Sequence, residues 1–125
     1  MPKILIVDDE PEMREVLTMR LEANGYEVVT AADGEEGLEQ TKKEKPDLIL
    51  LDIMMPGMDG LIVLSRLKNN LETSFIPVIM LTAKGDTSAI MESQRVGATD
   101  YVIKPFEPSQ LLALVKRYLL SNPKA

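Results

Sequence analysis

The chain has 125 residues, of which 45% are hydrophobic and 27% charged, a composition typical of one globular domain. It contains no cysteine and no histidine, which excludes disulfides, thiolate metal sites and catalysis by a histidine of this chain. The net charge of −6 argues against binding a nucleic-acid backbone. No signal peptide and no apolar run of membrane-spanning length is apparent, so we expect a cytoplasmic protein with no membrane contact.

Short apolar runs alternate with amphipathic segments along the chain. In chain order they predict a strand from Lys3 to Val7, a helix from Pro11 to Asn24, a strand from Tyr26 to Thr30, a helix from Asp33 to Glu44, a strand from Leu48 to Leu51, a helix from Leu61 to Leu71, a strand from Val78 to Leu81, a helix from Thr87 to Val96, a strand from Tyr101 to Ile103 and a helix through Leu111 and Leu119. This alternation predicts one three-layer α/β domain over residues 1–121, with a five-stranded parallel sheet flanked by five helices. Residues 122–125 are expected to form a frayed tail.

Apolar residues at helical spacing predict which face of each helix is buried. The predicted stripes are Met13, Val16, Leu17 and Leu21 in the first helix, Leu38 and Thr41 in the second, Leu61, Leu64, Leu67 and Leu71 in the third, and Leu111, Leu112, Val115, Tyr118 and Leu119 in the fifth. The fourth helix is thinly apolar, with Ile90, Met91 and Val96 as its core residues, so we expect it to pack lightly. Asp33 and Glu36 resemble a capping box, and Gly97 suits a helix end.

Polar residues stand where four of the predicted strands end. They are Asp8 and Asp9, Asp52, Thr82, and Lys104. Since parallel strands all end at one edge of a sheet, these side chains should converge there, where open α/β sheets bind ligands. Crowded carboxylates favour a bound cation, and an all-oxygen acidic cluster suits Mg²⁺. The ammonium and the hydroxyl would suit the oxygens of a transferred phosphoryl group.

Each of these residues also has a simpler interpretation. The acidic run before Pro11 is compatible with a helix cap, Asp52 with a buried acid paired to Lys104, and Thr82 with a cap of the fourth helix. The Met54, Met55 and Met58 cluster favours loop packing over a partner groove. Lys42, Lys43 and Lys45, the only tight basic cluster, favour a solvated helix end over a nucleic-acid contact. Joint placement of the four strand ends on one edge, which capping and packing do not require, favours a functional site.

Four motifs in this order resemble the receiver domain of bacterial two-component response regulators. They are DDE after the first strand, LLDIMMPGMDG after the third, LTA after the fourth and GATDYVIKPF around the fifth. The resemblance covers Lys3 to about Leu120. It implies a chemotaxis-receiver-like fold with the flavodoxin-like strand order 2-1-3-4-5. It also implies a signalling switch that catalyses only its own phosphoryl transfer and autodephosphorylation.

The resemblance assigns the phosphoacceptor to Asp52, which would take a phosphoryl group from a phosphohistidine of a histidine kinase or a histidine phosphotransfer protein. The metal ligands for Mg²⁺ would be Asp9, Asp52 and the backbone carbonyl of Met54, with Asp8 acting through water or from outside the ligand shell.

The same resemblance assigns sensing of the phosphoryl group to Thr82 and its pairing to Lys104. Tyr101 would be an aromatic switch that moves inward when Thr82 is drawn to the phosphate, and Lys104-Pro105 would be a cis bond. A downstream protein would bind the face of the fourth helix, fifth strand and fifth helix, and a homodimer could form when the chain is phosphorylated. Direct nucleic-acid binding is not expected.

Met54 and Lys84 lie where receivers tune hydrolysis of the acyl phosphate, so the phosphoryl lifetime stays open. Two other functions remain as alternatives: a scaffold of receiver type that is not phosphorylated, and an aspartyl-phosphate phosphatase. The phosphatase family needs a second acid two residues after its nucleophile, where this chain has Met54. Nucleotide binding is disfavoured because the GxxxxGK[ST] loop is absent, and flavin binding because the loop after the first strand is acidic.

Overall fold

Strands and helices alternate throughout residues 1–121, the part of the chain that the computed structural model describes. The strands are β1 (Lys3–Val7), β2 (Glu27–Ala31), β3 (Leu48–Asp52), β4 (Val78–Ala83) and β5 (Asp100–Lys104), and the helices are α1 (Pro11–Ala23), α2 (Gly34–Glu44), α3 (Gly60–Lys68), α4 (Thr87–Val96) and α5 (Pro108–Ser121). The predicted tail at 122–125 lies outside the described residues. No helix in the described range combines the length and apolarity needed to cross a membrane.

The strands form one parallel sheet in the order β2-β1-β3-β4-β5. The predicted fold class and strand order are therefore confirmed. All five residues of β3 are buried, the four apolar residues at 48–51 and Asp52, in keeping with the central position of the strand. The order places the carboxyl ends of β1, β3, β4 and β5 side by side.

Two apolar cores cover the two faces of the sheet, because successive side chains of a strand point to opposite faces. Leu5 and Leu51 belong to the core beneath α2, α3 and α4, whereas Ile6 and Leu50 belong to the core beneath α1 and α5. Complete burial of one such side chain stabilises the fold by roughly 1.5–3 kcal/mol. These cores hold the strand ends in place.

Local signals at the helix ends agree with the structure. Asp33 Oδ1 accepts a hydrogen bond from the Glu36 N–H at 2.8 Å, and Glu36 Oε1 accepts one from the Ala32 N–H at 2.6 Å. The capping box is therefore present, although Glu36 reaches Ala32 rather than Asp33. Gly97 ends α4 at a φ of 122°, a conformation that residues with a side chain rarely adopt.

Three predicted core residues are exposed instead. Leu71 is 91% exposed because α3 ends at Lys68 and the chain turns before it reaches the leucine. Val16 is 51% exposed, since neighbouring residues on a helix differ by about 100° in direction and Leu17 occupies the buried face. Met91 is 65% exposed, so the apolar pattern was wrong at these positions.

The buried face of α4 is centred on Ser93, which the sequence analysis missed. Ala89 and Val96 flank it on the same helical face and pack against the core. The Ser93 hydroxyl donates a hydrogen bond to the carbonyl of Ile90 at 2.8 Å, which satisfies the buried polar group. Ser93 is the one fully buried side chain of α4, so this helix is lightly packed as predicted.

Candidate functional site

Four strand ends bring the predicted site residues to one edge of the sheet. Asp8 follows β1 directly, Asp52 ends β3, Thr82 lies near the end of β4 and Lys104 ends β5. In the ladder Asp52 pairs with Leu81, one residue before Thr82, and Lys104 pairs with Ala83, one residue after it. The strand register therefore brings the side chains of Asp52, Thr82 and Lys104 close together, and no long loop is needed to position them.

Lys104 lies between carboxylates from two other segments. Its Nζ is 3.0 Å from Asp8 Oδ2, 3.5 Å from Asp52 Oδ1 and 3.5 Å from Glu10 Oε1. Burial lowers the pKa of Lys104, but the Asp8 hydrogen bond and the charges of Asp52, Asp8 and Glu10 outweigh burial and raise it. The ammonium group is therefore a permanent positive charge beside Asp52.

Asp52 is 4% exposed. Burial is the main effect that raises its pKa from 3.8 to about 7, and the charge of Asp8 raises it further. The charge of Lys104 and a hydrogen bond from the Met54 N–H, at 3.3 Å, oppose that rise. The simple ion pair with Lys104 is present, yet it does not compensate for burial, so the ionised carboxylate is poorly stabilised.

Asp8 is fully buried and tied to its surroundings at both carboxylate oxygens. Oδ1 accepts the Glu10 N–H at 2.9 Å, and Oδ2 accepts the Lys104 ammonium. The Arg14 guanidinium donates to the Asp8 backbone carbonyl at 2.7 Å. The acidic loop after β1 is thus held by α1 on one side and by β5 on the other.

The carboxylates of this edge fit a hard divalent cation. One oxygen each from Asp8, Asp9, Glu10 and Asp52 lies within 4.8 Å of the others. Such an all-oxygen, strongly negative set suits Mg²⁺ better than softer metals, and a cation would offset the charge repulsion at Asp52. The residues present therefore fit the metal that the sequence analysis expected.

Glu10 belongs to this cluster although the sequence analysis did not select it. It precedes α1 as the N-cap residue, but its side chain makes no capping hydrogen bond. Its carboxylate, 62% exposed, reaches toward Lys104 instead. The available signal was its place as the third acid of the run after β1, so the helix-cap interpretation of that run is wrong for Glu10.

Thr82 has no structural role as a helix cap. Asp86 caps α4 by accepting the Ala89 N–H at 3.4 Å. The Thr82 hydroxyl is buried and is one of two buried side-chain polar atoms without a hydrogen-bond partner among residues 1–121. Leaving such a group unpaired costs about 1–3 kcal/mol, so the site holds a donor that lacks an acceptor.

The loop after β3 depends on Gly60, the last residue of the LLDIMMPGMDG motif. A Cβ at this position would lie 2.2 Å from the carbonyl oxygen of Asp52 and 2.8 Å from Ile53 Cα. The Gly60 N–H donates to the Ile53 carbonyl at 2.8 Å. A residue without a side chain is therefore required where α3 begins against the end of β3.

The other predicted residues lie around this centre. The Met54 side chain is 65% exposed, whereas Met55 is buried and Met58 packs against the core, as loop packing predicts. Tyr101 is half-buried against the same core. The predicted cis bond is present at Lys104-Pro105.

Comparison with known proteins identifies the family. Residues 4–116 match the family model described as "Response regulator receiver domain". A "Probable transcriptional regulator ycf27" of Cyanophora paradoxa is 50% identical, with the match covering 94% of this chain and 48% of that protein. The alkaline phosphatase synthesis transcriptional regulatory protein PhoP of Bacillus subtilis is 44% identical over 94% of this chain and 48% of its own length. The chain thus spans about half the length of these curated relatives.

Solved structures similar to this chain support the same family assignment. A putative response regulator from Chloroflexus aurantiacus superposes with a TM-score of 0.91 at 43% identity, covering 96% of this chain and 99% of that one. The chemotaxis protein CheY4 of Vibrio cholerae gives a TM-score of 0.89 at 37% identity, over 94% and 98% of the two chains. The chain therefore belongs to the response regulator receiver domain family of two-component systems.

Proposed function

We propose that Asp52 accepts a phosphoryl group from the phosphohistidine of a histidine kinase or a histidine phosphotransfer protein. The observation that carries this proposal is the environment of Asp52, a buried carboxylate beside a fixed ammonium group and other carboxylates. Poor stabilisation of the ionised acid makes it a better nucleophile than an exposed aspartate. Family membership supplies the class of donor.

In this reaction an Asp52 carboxylate oxygen attacks phosphorus and forms a new P–O bond. The P–N bond to the donor imidazole breaks, and its electron pair returns to the ring nitrogen. Charge develops on the phosphoryl oxygens, where Lys104 would pair with it and the Thr82 hydroxyl would donate a hydrogen bond. Asp9, Asp52 and the Met54 carbonyl would hold Mg²⁺, with Asp8 through water, and the ion would neutralise part of that charge.

A switch follows from the unpaired Thr82 hydroxyl. A phosphoryl group on Asp52 would offer Thr82 the acceptor that it lacks, and drawing Thr82 inward would shift the end of β4. The light packing of α4 keeps the cost of such a shift low, and the half-buried Tyr101 on neighbouring β5 would move with it. We therefore place the output face on α4, β5 and α5, for a downstream protein or a second copy of the chain.

The phosphodonor would approach from the side of α1. An apolar cleft of about 160 Å³ lies between α1 and α5 and is lined in part by Val16, Pro105 and Phe106. Pro105 follows Lys104 directly, so the cleft adjoins the proposed phosphoryl site. The exposed Val16 gives a helix of the donor an apolar surface there.

Some relatives act on DNA. The response regulator MtrA of Mycolicibacterium smegmatis, 42% identical, is named as DNA-binding, and the match covers 51% of its length. The net charge of −6 opposes contact with a phosphate backbone by this chain. We therefore propose that it acts through protein contacts.

Incubation with Mg²⁺ and acetyl phosphate, followed by mass spectrometry of the intact protein, tests the acceptor. We expect one added phosphoryl group, absent from Asp52→Asn. Asp59→Asn is the matched control, because Asp59 caps α3 by accepting the Ile62 N–H and asparagine keeps this bond. Equal labelling of Asp52→Asn would show that the acceptor lies elsewhere. Undetectable Mg²⁺ binding would favour the alternative of a scaffold that is not phosphorylated. Multiple turnovers on phosphate monoesters would favour the alternative of an aspartyl-phosphate phosphatase.

A further inference from the structure

A cleft of about 620 Å³ opens at the edge of the sheet opposite Asp52, where β3 and β4 begin. One wall is formed by Lys42 in the last turn of α2, by Lys45 at the end of that helix and by Pro46 directly after it. The other wall is formed by Leu71, Phe75 and Ile76 in the turns between α3 and β4. β3 has five residues, so about 15 Å separates this cleft from the proposed phosphoryl site.

The basic wall is unusual in an acidic chain. Lys42, Lys43 and Lys45 form the only tight basic cluster, and all three are exposed. None of them forms a salt bridge with a residue in the described range. The C-terminal end of a helix stabilises a nearby cation by about 0.3–1 kcal/mol. This stabilisation applies equally to Lys43, which does not line the cleft.

Lys45 also departs from what a helix end requires. It ends α2 in the left-handed conformation, with a φ of 50°, where glycine or asparagine is normally preferred. A lysine at this position costs backbone free energy that glycine would not. Helix termination therefore does not account for a lysine at position 45.

Two of the three residues of the apolar wall are exposed, and hydrogen bonds hold its backbone in place. Leu71 is 91% exposed and Phe75 49% exposed. The Thr73 hydroxyl donates to the Leu67 carbonyl at 2.7 Å, and Lys68 Nζ donates to the carbonyl of Ile76 at 2.8 Å. These bonds tie the backbone of the turns to the end of α3, where Leu71 and Phe75 offer apolar surface.

We propose that this cleft binds an acidic peptide segment of a partner protein. Carboxylates of the segment would pair with Lys42 and Lys45, and a large apolar side chain would pack on Leu71 and Phe75. The volume falls within the range of ligand pockets, roughly 300–1,000 Å³. Because the cleft lies at the opposite edge from Asp52, the segment would stay bound whether or not Asp52 is phosphorylated.

Nucleic acid fits this cleft less well. Asp47 and Glu72 also line it, and their carboxylates would repel a phosphate backbone. Asp47 Oδ2 already accepts the Lys3 backbone N–H at 2.8 Å, which anchors that carboxylate in the wall. A peptide can place single carboxylates at Lys42 and Lys45 and apolar side chains elsewhere, whereas a nucleic acid carries a charge on every phosphate.

Amide NMR titration of the full ¹⁵N-labelled chain tests the proposal directly. The ligand is a dodecapeptide in which glutamates alternate with leucines and phenylalanines, and the control peptide carries lysines in place of the glutamates. We expect saturable shifts confined to residues 41–47 and 71–77 with the acidic peptide alone. Absence of saturable shifts, or equal binding of the basic peptide, overturns the proposal.

Two pairs of variants separate the cleft from general surface effects. Lys42→Ala should weaken binding about two- to fivefold, whereas Lys43→Ala, the same change one residue away, should leave it unchanged. Leu71→Ser should weaken binding about tenfold. Leu120→Ser, at an 88% exposed leucine outside this cleft, is its control. Equal losses in variant and control would contradict the assignment.

Lys45→Gly tests whether weaker peptide binding results from loss of the lysine or from unfolding of the protein. Glycine suits the left-handed helix end, so we expect a higher urea midpoint together with weaker peptide binding. All these variants should still be phosphorylated on Asp52, which keeps this test independent of the proposed function. A DNA duplex that shifted the same amides at lower concentration than the acidic peptide would assign the cleft to nucleic acid.

Discussion

Replacement of Asp52 by asparagine should stabilise the metal-free protein, and the gain should grow with pH. The pKa of Asp52 is about 7 in the folded protein, against 3.8 for the ordinary group. Between these values the unfolded chain loses the Asp52 proton while the folded chain keeps it. The free energy of unfolding of the wild type therefore falls as pH rises from about 4 to about 7, by up to ~1.4 kcal/mol per pH unit.

The asparagine side chain of the variant does not titrate, so Asp52→Asn lacks this loss. From the two pKa values of Asp52, the stability gain of the variant should increase by about 2–3 kcal/mol between pH 5 and pH 8. Urea unfolding in EDTA at both pH values measures the gain. Asp59→Asn, which keeps its capping bond, corrects for general effects of removing a carboxylate.

Mg²⁺ provides a further check on the same variant. The ion should bind the folded wild type more tightly than Asp52→Asn, and binding to the folded state adds stability according to RT ln(1 + [L]/Kd). Adding millimolar Mg²⁺ at pH 8 should therefore narrow the difference between the two proteins. A gain that is the same at both pH values, or larger at pH 5, would refute the account of Asp52 as a destabilised buried carboxylate.

Other substitutions test the packing around the site. Gly60→Ala should lower the free energy of unfolding, measured with urea, by about 3 kcal/mol, because the new Cβ would overlap the Asp52 carbonyl. Gly57→Ala, at a φ of 76° with open space around it, should lower it by only about 1–2 kcal/mol in the same assay. Thr82→Val should raise the free energy of unfolding of the unphosphorylated protein by about 1 kcal/mol, measured by calorimetry, since it removes an unpaired buried hydroxyl. A destabilised variant would indicate that the Thr82 hydroxyl has a hydrogen-bond acceptor in the folded protein. Asp33→Ala should cost about 1 kcal/mol through loss of the α2 cap, and an unchanged urea midpoint would contradict this.

The sequence by itself determined the alternation of strands and helices and the polar residues at the strand ends. These follow from local properties: apolar runs, helical spacing, caps and turns. Because parallel strands end at a common edge, the sequence alone predicts that Asp8, Asp52, Thr82 and Lys104 lie close together. The strand order itself came from resemblance to a family, since periodicity does not specify which strands pair.

Tertiary structure alone decided which side chains lack or gain partners. The unpaired hydroxyl of Thr82 depends on every neighbour of β4, and the need for glycine at Gly60 depends on the path of β3 beneath it. Leu71 fits a helical stripe but is exposed, because hydrogen bonds from the following turns end α3 before it. Such contacts join segments that are distant along the chain, so no local pattern can encode them.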